Sequence, residues 1–294
     1  MANTQLITID KNLCTCCGVC MDVCVSDVLK GDKDIMGVLA PSRCILCGHC
    51  KAICPENAIV LRGLDPKEFE PVPEKNNLFA PDQLQAFFRS RRSIRLYKNT
   101  PVETDKLKKI IEAGRFAPTG GNRQPVEYVV VHTPKMMETV LAITVDTLAE
   151  MARHVKKKID DTKKDLKRLS VRHMREQFYA DLWLNIKQQY NNGTDRLFYH
   201  APVLIASHVD PEMATTPGVD AGISSAHMVL MAESLGLGSC FCGFFVLAVE
   251  QNQKLKQILQ IPEKNRTQLS FMIGYPDVSF LRLTGRNSAS VTWL

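Results

Sequence analysis

No G-x-G-x-x-G fingerprint occurs anywhere in the 294 residues. That excludes a Rossmann module holding a dinucleotide on the N-terminus of a helix. No basic-then-apolar leader follows Met1-Ala2-Asn3-Thr4, so export through such a signal is not expected. The longest apolar run, Leu235 to Val249, is interrupted by Ser239 and three glycines, flanked by Glu233 and Glu250, and shorter than a bilayer span of about 20 residues. It reads as a buried turn and strand, and no membrane partner is expected. Neither sign of charge dominates strongly, since 37 Lys and Arg against 31 Asp and Glu leave a net charge of +6.

Cysteine, by contrast, is plentiful, and eight of the eleven fall into one phrase written twice. The first copy is Cys14, Cys17, Cys20 and Cys24; the second is Cys44, Cys47, Cys50 and Cys54, followed by Pro55. Three thiolates at i, i+3 and i+6 wrap one [4Fe-4S] cubane, while the fourth is carried away to ligate the other cluster. The spacing therefore assigns Cys14, Cys17, Cys20 and Cys54 to cluster one, and Cys44, Cys47, Cys50 and Cys24 to cluster two. A structural zinc site uses two ligand pairs across a spacer, and a disulfide framework belongs to a short secreted chain, so neither fits. Cys16 is an extra thiol at the wrong spacing and reads as a bystander. The pattern resembles the bacterial two-cluster ferredoxins over about the first sixty residues. The repeat extends beyond the cysteines, with Asp10 to Asp27 and Ala40 to Asn57 running in parallel at a thirty-residue offset. Each half reads as one loop and a turn, and so small a module needs its clusters to fold. Thiolates committed to iron imply a reducing, cytoplasmic setting.

Residues 62 to 83 hold Pro66, Pro71, Pro73 and Pro81 among Asp65, Glu68, Glu70 and Glu74. They read as a semi-extended connector between a domain at 1–61 and a second at 84–294. The second domain opens with Arg91-Arg92-Ser93-Ile94-Arg95-Leu96-Tyr97. About twenty residues later comes the loop Ala117-Pro118-Thr119-Gly120-Gly121-Asn122-Arg123-Gln124-Pro125. Alone, the basic cluster is a solvated face and the loop is a helix-terminating turn. As a pair they resemble the nitroreductase family of FMN-dependent flavoproteins. The resemblance continues through His200-Ala201-Pro202, Asp220-Ala221-Gly222, Gly236-Leu237-Gly238-Ser239-Cys240 and Gly274-Tyr275-Pro276, and covers roughly residues 86 to 288.

That resemblance implies an α+β fold, a mainly antiparallel sheet sandwiched by helices, with FMN at the interface of an intertwined homodimer. Carried over, it makes Arg91, with Arg92 beside it, and Ser93 contacts to the phosphate and ribityl chain. Arg95 would approach the pyrimidine edge, where a cation stabilises the anionic reduced ring. The loop residues Pro118, Thr119, Gly120, Asn122 and Gln124 would line the cofactor, Asn122 suiting a polar ring edge with one donor and one acceptor. Gly243 is the expected backbone donor to N5, and Arg286, more than Arg282, is expected to reach the phosphate. Cys240 and Cys242 form a C-x-C pair that packing explains better than redox chemistry. No catalytic acid is named, because Tyr199, His200 and His227 are equally explained by packing.

A helical insertion is expected at about 136–192. Met151, Val155, Ile159, Thr162, Leu166 and Leu169 recur at helical steps, against ten Lys and Arg and four Asp and Glu between Arg153 and Glu176. The basic excess there equals that of the whole chain. Aromatic residues are not interleaved with these cations, so the stretch reads as a solvated helix face, and no nucleic acid partner is expected.

Joining the halves gives the expected chemistry. One-electron clusters feed a two-electron flavin, which reduces nitroaromatics, quinones or activated alkenes by hydride transfer from N5. The fusion would raise the effective concentration of the donor at the flavin. An external ferredoxin or flavodoxin is the expected primary donor, with NAD(P)H as the alternative. The competing reading is an electron relay or redox sensor that passes electrons to a partner protein.

Overall fold

The computed structural model describes residues 6–73, 80–165 and 170–294, with the backbone alone at 162–165. Thus Glu74 in the connector, and Leu166, Lys167, Arg168 and Leu169 in the insertion, lie outside the described residues, as do the side chains of Thr162, Lys163, Lys164 and Asp165. Met1 to Thr4 lie outside them too. Two compact units form: one is Met1–Ala80 with Gly121–Arg123, the other Pro81–Gly120 with Gln124–Leu294.

In the first unit β1 (Ile7–Ile9), α1 (Val19–Asp22), β2 (Leu29–Gly31), β3 (Met36–Val38), α2 (His49–Ile53) and β4 (Ile59–Leu61) follow in chain order. Two antiparallel pairs, β1 with β4 and β2 with β3, frame the cysteine loops, so each half carries more than the loop and turn expected of it. The thirty-residue offset is written into the backbone. Left-handed residues recur at Cys16 and Leu46 (φ 55° and 51°), at Gly18 and Gly48 (both 80°), and at Asp27 and Asn57 (47° and 54°). Gly18 and Gly48 each sit at the N-cap of a short helix, in a conformation that a Cβ disfavours. The core is small, built on Ile7, Val28, Leu29, Met36, Ile59 and Leu61.

In the second unit come α3 (Pro81–Ser90), α4 (Thr104–Arg115), β5 (Val126–Val131), α5 (Pro134–Asp165) and α6 (Val171–Asn191). There follow β6 (Val203–Val209), α7 (Pro217–Ser234), β7 (Gly238–Phe241), α8 (Gly243–Gln251), α9 (Gln253–Ile258) and β8 (Arg266–Gly274). The four strands make one antiparallel sheet in the order β5-β6-β8-β7. Every residue of β6 is buried, as a central strand covered on both faces requires.

The period-2 alternation sorts those residues onto the two faces. Val203 and Ile205 of β6, with Phe271 and Ile273 of β8, meet Leu107 and Ile110 of α4 and Met228 and Val229 of α7. Leu204 and Ala206, with Met272, join the opposite layer of α5, α6 and α8. The result is the helix-covered antiparallel sheet that the sequence implies.

The stretch expected as a helical insertion folds as α5 and α6. Ile159 of its expected apolar face is buried, Met151 and Val155 half-buried, and Arg153, Lys157 and Lys158 on the other face exposed. Leu235–Val249 departs from the expected turn and strand. The turn and β7 are there, but the chain re-enters a helix at Gly243, because Phe245, Ala248 and Val249 bury one face of α8 against the core. Among the described residues no helix is long and apolar enough to cross a membrane.

Candidate functional site

None of the eleven cysteines lies in a disulfide. Of the eight in the repeated phrases, those around Cys20 are Cys54, Cys14 and Cys17, whose charges add to the burial that raises its pKa. Around Cys50 they are Cys47, Cys44 and Cys24, and burial first, then these neighbours, push it up to about 11. The thiols thus gather in two crossed sets. One cavity is lined by Cys24, Cys44, Cys47 and Cys50 together with Ile7, Val28 and Leu61.

The two fourth cysteines sit in equivalent settings. Val28 N donates to Cys24 Sγ at 3.3 Å, and Ala58 N donates to Cys54 Sγ at 3.3 Å. Such N–H···S bonds tune the potential of an iron–sulfur centre. Cys16 occupies the place that Leu46 fills in the second copy, which fits its reading as a bystander.

In the second unit the basic opening segment runs along β7. Ile94 N donates to Ser239 O at 2.9 Å, and Ser93 bridges Ser239 in parallel register. This approach requires Gly238, where a Cβ would stand 2.4 Å from Ile94 Cγ1. Arg91 Nη1, Arg92 Nε and Ser239 Oγ are buried without a hydrogen-bond partner among the described residues. Each such donor costs on the order of 1–3 kcal/mol until an acceptor arrives, so the segment suits an anion or an acceptor-rich ring edge. Arg92 Nη1 donates to Thr284 Oγ1 at 2.8 Å, and Arg286 Nη1 reaches the same hydroxyl at 3.3 Å. Arg91 acts on half-buried Glu233, whose carboxyl burial raises and the guanidinium lowers.

A cavity of about 910 Å³ opens beside this segment. Arg95 and Gly243 line it, together with Tyr199, Phe241, Phe244 and, from α6, Leu182, Asn185, Ile186 and Gln189. No Asp or Glu lines it. Gly243 is the first residue of α8, where a backbone N–H has no acceptor within its own helix. Arg95 lies over the Tyr199 ring at 5.9 Å. Burial raises the Tyr199 phenol, and the Arg95 charge opposes that.

Tyr199 and His200 are held at φ 58° and 56°, a strained pair that needs over-determination. Buried Asp195 supplies it, its carboxylate accepting from Leu197 N, Phe198 N and His200 N at 2.8 to 2.9 Å. His200 faces a different cavity, with Lys98, His132 and Glu138.

The expected loop after α4 closes on itself and on α7. Gln124 N donates to Thr119 Oγ1 at 2.9 Å, and Gly120 N to Asp220 Oδ1 at 3.0 Å. Gly121, Asn122 and Gln124 all have positive φ, at 60°, 53° and 50°. Gly121–Arg123 belong with the first unit, where Asn122 Nδ2 donates to Ile45 O at 3.1 Å and Leu46 O at 3.0 Å. Cys240 and Cys242 are both buried in the core, and burial pushes Cys242 up to about 12, as packing thiols should be. Of the residues expected to hold the flavin, Arg95 and Gly243 thus share one cavity and Arg92 and Arg286 one hydroxyl, while Thr119, Gly120 and Gln124 form a third group. The cavity residues Asn185, Gln189, Arg196 and Phe244 carry no motif. The only trace of the helix wall is its spacing, Leu182, Ile186 and Gln189 at steps of four and three.

The second unit thus carries a carboxylate-free cavity rimmed by arginines on a helix-covered sheet, and the first carries duplicated cysteine loops. The chain belongs to the nitroreductase family, whose model, described as "Nitroreductase family", matches residues 88–275. A second model, "4Fe-4S binding domain", matches residues 38–60. Among similar proteins is a "4-nitrobenzoate reductase" of Pseudomonas putida, 24% identical over 216 residues, which covers 67% of this chain and 86% of the relative. A "Ferredoxin 7Fe" of Hydrogenibacillus schlegelii is 35% identical over 60 residues, 20% of this chain and 76% of the relative. Among solved structures, a nitroreductase with bound FMN from Desulfitobacterium hafniense shares the fold at a TM-score of 0.54 and 23% identity, covering 71% of this chain and 97% of that one.

Proposed function

We propose that the chain is an FMN-dependent reductase of small electron-poor molecules (nitroaromatics, quinones or activated alkenes) fed by its own two [4Fe-4S] clusters. The reading is carried by the cavity that joins Arg95, the first-turn amide of Gly243 and apolar walls with no carboxylate. A flavin bound there would accept single electrons and deliver them as a hydride to a stacked acceptor.

This chain's residues would hold and tune it. Arg91 Nη1 and Arg92 Nε are buried donors lacking an acceptor, and Arg286 converges with Arg92 on Thr284, which suits a phosphate. The Arg95 cation would favour negative charge on the ring, Ser93 is fixed beside β7 by its bridge to Ser239, and Phe241 and Phe244 line the apolar side. Pro118, Thr119, Gly120 and Gln124 would complete the cofactor's surroundings from the loop after α4, whereas the Asn122 amide donates to Ile45 O and Leu46 O instead. The crossed cysteine sets would hold one cubane each, Cys14, Cys17, Cys20 and Cys54 for the first, and Cys44, Cys47, Cys50 and Cys24 for the second. A homodimer, an external ferredoxin or flavodoxin as donor, and a cytoplasmic setting belong to the same proposal.

Anaerobic purification should give about eight iron and one FMN per chain, with the flavin band bleaching when reduced ferredoxin is added. Bleaching by NAD(P)H alone would make the clusters an electron outlet. Iron without flavin would sink the reductase reading.

A further inference from the structure

The cavity carries one cation more than a flavin edge asks for. Arg95 is the guanidinium placed at the ring, but Arg196 lines the same space. Arg196 is exposed, and among the described residues no hydrogen bond or ion pair engages its side chain. Its neighbour Asp195 cannot neutralise it, because that carboxylate is taken up by the amides of Leu197, Phe198 and His200 and lines the other cavity. Asn185 and Gln189, four residues apart on α6, therefore lie one turn above the other and turn two amides to the same space. Leu182, Ile186, Phe241 and Phe244 make the remaining wall apolar.

An unpaired guanidinium with two amides at the edge of an apolar slot is the chemistry of a carboxylate clamp. Resting on the reductase reading above, we propose that Arg196, with Asn185 and Gln189, selects acceptors that carry an anionic group. The substrate class is then an electron-poor aromatic or alkene acid, with its flat body on the apolar wall and its carboxylate on Arg196. Such a molecule offers a charge to Arg196 that a neutral nitroaromatic or quinone does not.

The test uses the holoprotein with its flavin photoreduced anaerobically, mixed in stopped flow with either 4-nitrobenzoate or nitrobenzene. Wild type should half-saturate at lower 4-nitrobenzoate than nitrobenzene. Arg196→Ala should raise the half-saturating 4-nitrobenzoate about tenfold, the loss expected for one charge-assisted bond, and leave nitrobenzene unchanged. Arg196→Lys should recover part of the loss. Equal effects on both compounds, or none, would overturn the proposal.

A second readout needs no turnover. Benzoate titrated into the oxidised holoprotein should perturb the flavin bands, with an apparent Kd about tenfold weaker in Arg196→Ala. If neither nitro compound reoxidises the flavin but benzoate binding still depends on Arg196, the reductase reading falls and the anion site stands. If reoxidation proceeds and benzoate ignores Arg196, the anion site falls alone.

Discussion

Gly238 and Asp195 hold the two walls of the cavity by opposite means. Gly238 works by having no side chain, since a Cβ would meet Ile94 at 2.4 Å. Gly238→Ala should cost about 1–3 kcal/mol by overpacking and push the Ser93–Arg95 segment off β7. Thermal unfolding and flavin content after gel filtration would show both effects, and full flavin retention would contradict the placement. Asp195 works through three accepted amide bonds, and Asp195→Ala would orphan the buried N–H groups of Leu197 and Phe198 and the half-buried one of His200, at a cost of about 2–5 kcal/mol. Denaturant unfolding would measure that loss. The sequence marked Arg91, Ser93 and Arg95 as candidates because they stand in a short motif. It did not mark Asp195, because its three accepted amide bonds depend on a left-handed turn at Tyr199 and His200 that no local pattern announces.

Among the elements, the insertion and the duplicated loops were the most legible, because period and spacing are local properties. The end of Leu235–Val249 was not. An apolar stretch does not distinguish a buried strand from a buried helix, and the helix from Gly243 is fixed by the layer it packs into.

The β5–β6 pair adds a buried polar group that no motif marks. Glu127 stands opposite His208 in register, and Asn265 Nδ2 donates to both Glu127 Oε1 and His208 Nδ1 at 2.8 Å. Burial holds His208 below the ordinary imidazole value of 6.5, and the Lys256 charge adds to this while Glu127 opposes it. The unfolded chain therefore binds a proton that the folded one does not. This contribution to stability is complete above the unfolded value and is lost as pH falls through the folded one. Denaturation midpoints should decline from about pH 7 to pH 5, with a shallower decline in His208→Gln. Equal slopes in the two proteins would remove His208 from the account.

For the whole molecule, the two units differ in what keeps them folded. The second has a sheet covered on both faces, whereas the first has a small core and eight cysteines around it. Stripping iron with a chelator and oxidant should unfold the first unit and leave the second ordered. Far-UV circular dichroism with limited proteolysis would report this, and a first unit that resists protease without iron would refute it.

The proposed crossing of the fourth thiols between the two repeats reaches further than ligand bookkeeping. In those proposed sets neither repeat owns all four of its ligands, so each is the guarantor of its twin. Reconstitution with limiting iron should then yield a mixture of fully charged and empty chains, with few half-filled ones. Damage by oxygen at either end should empty both.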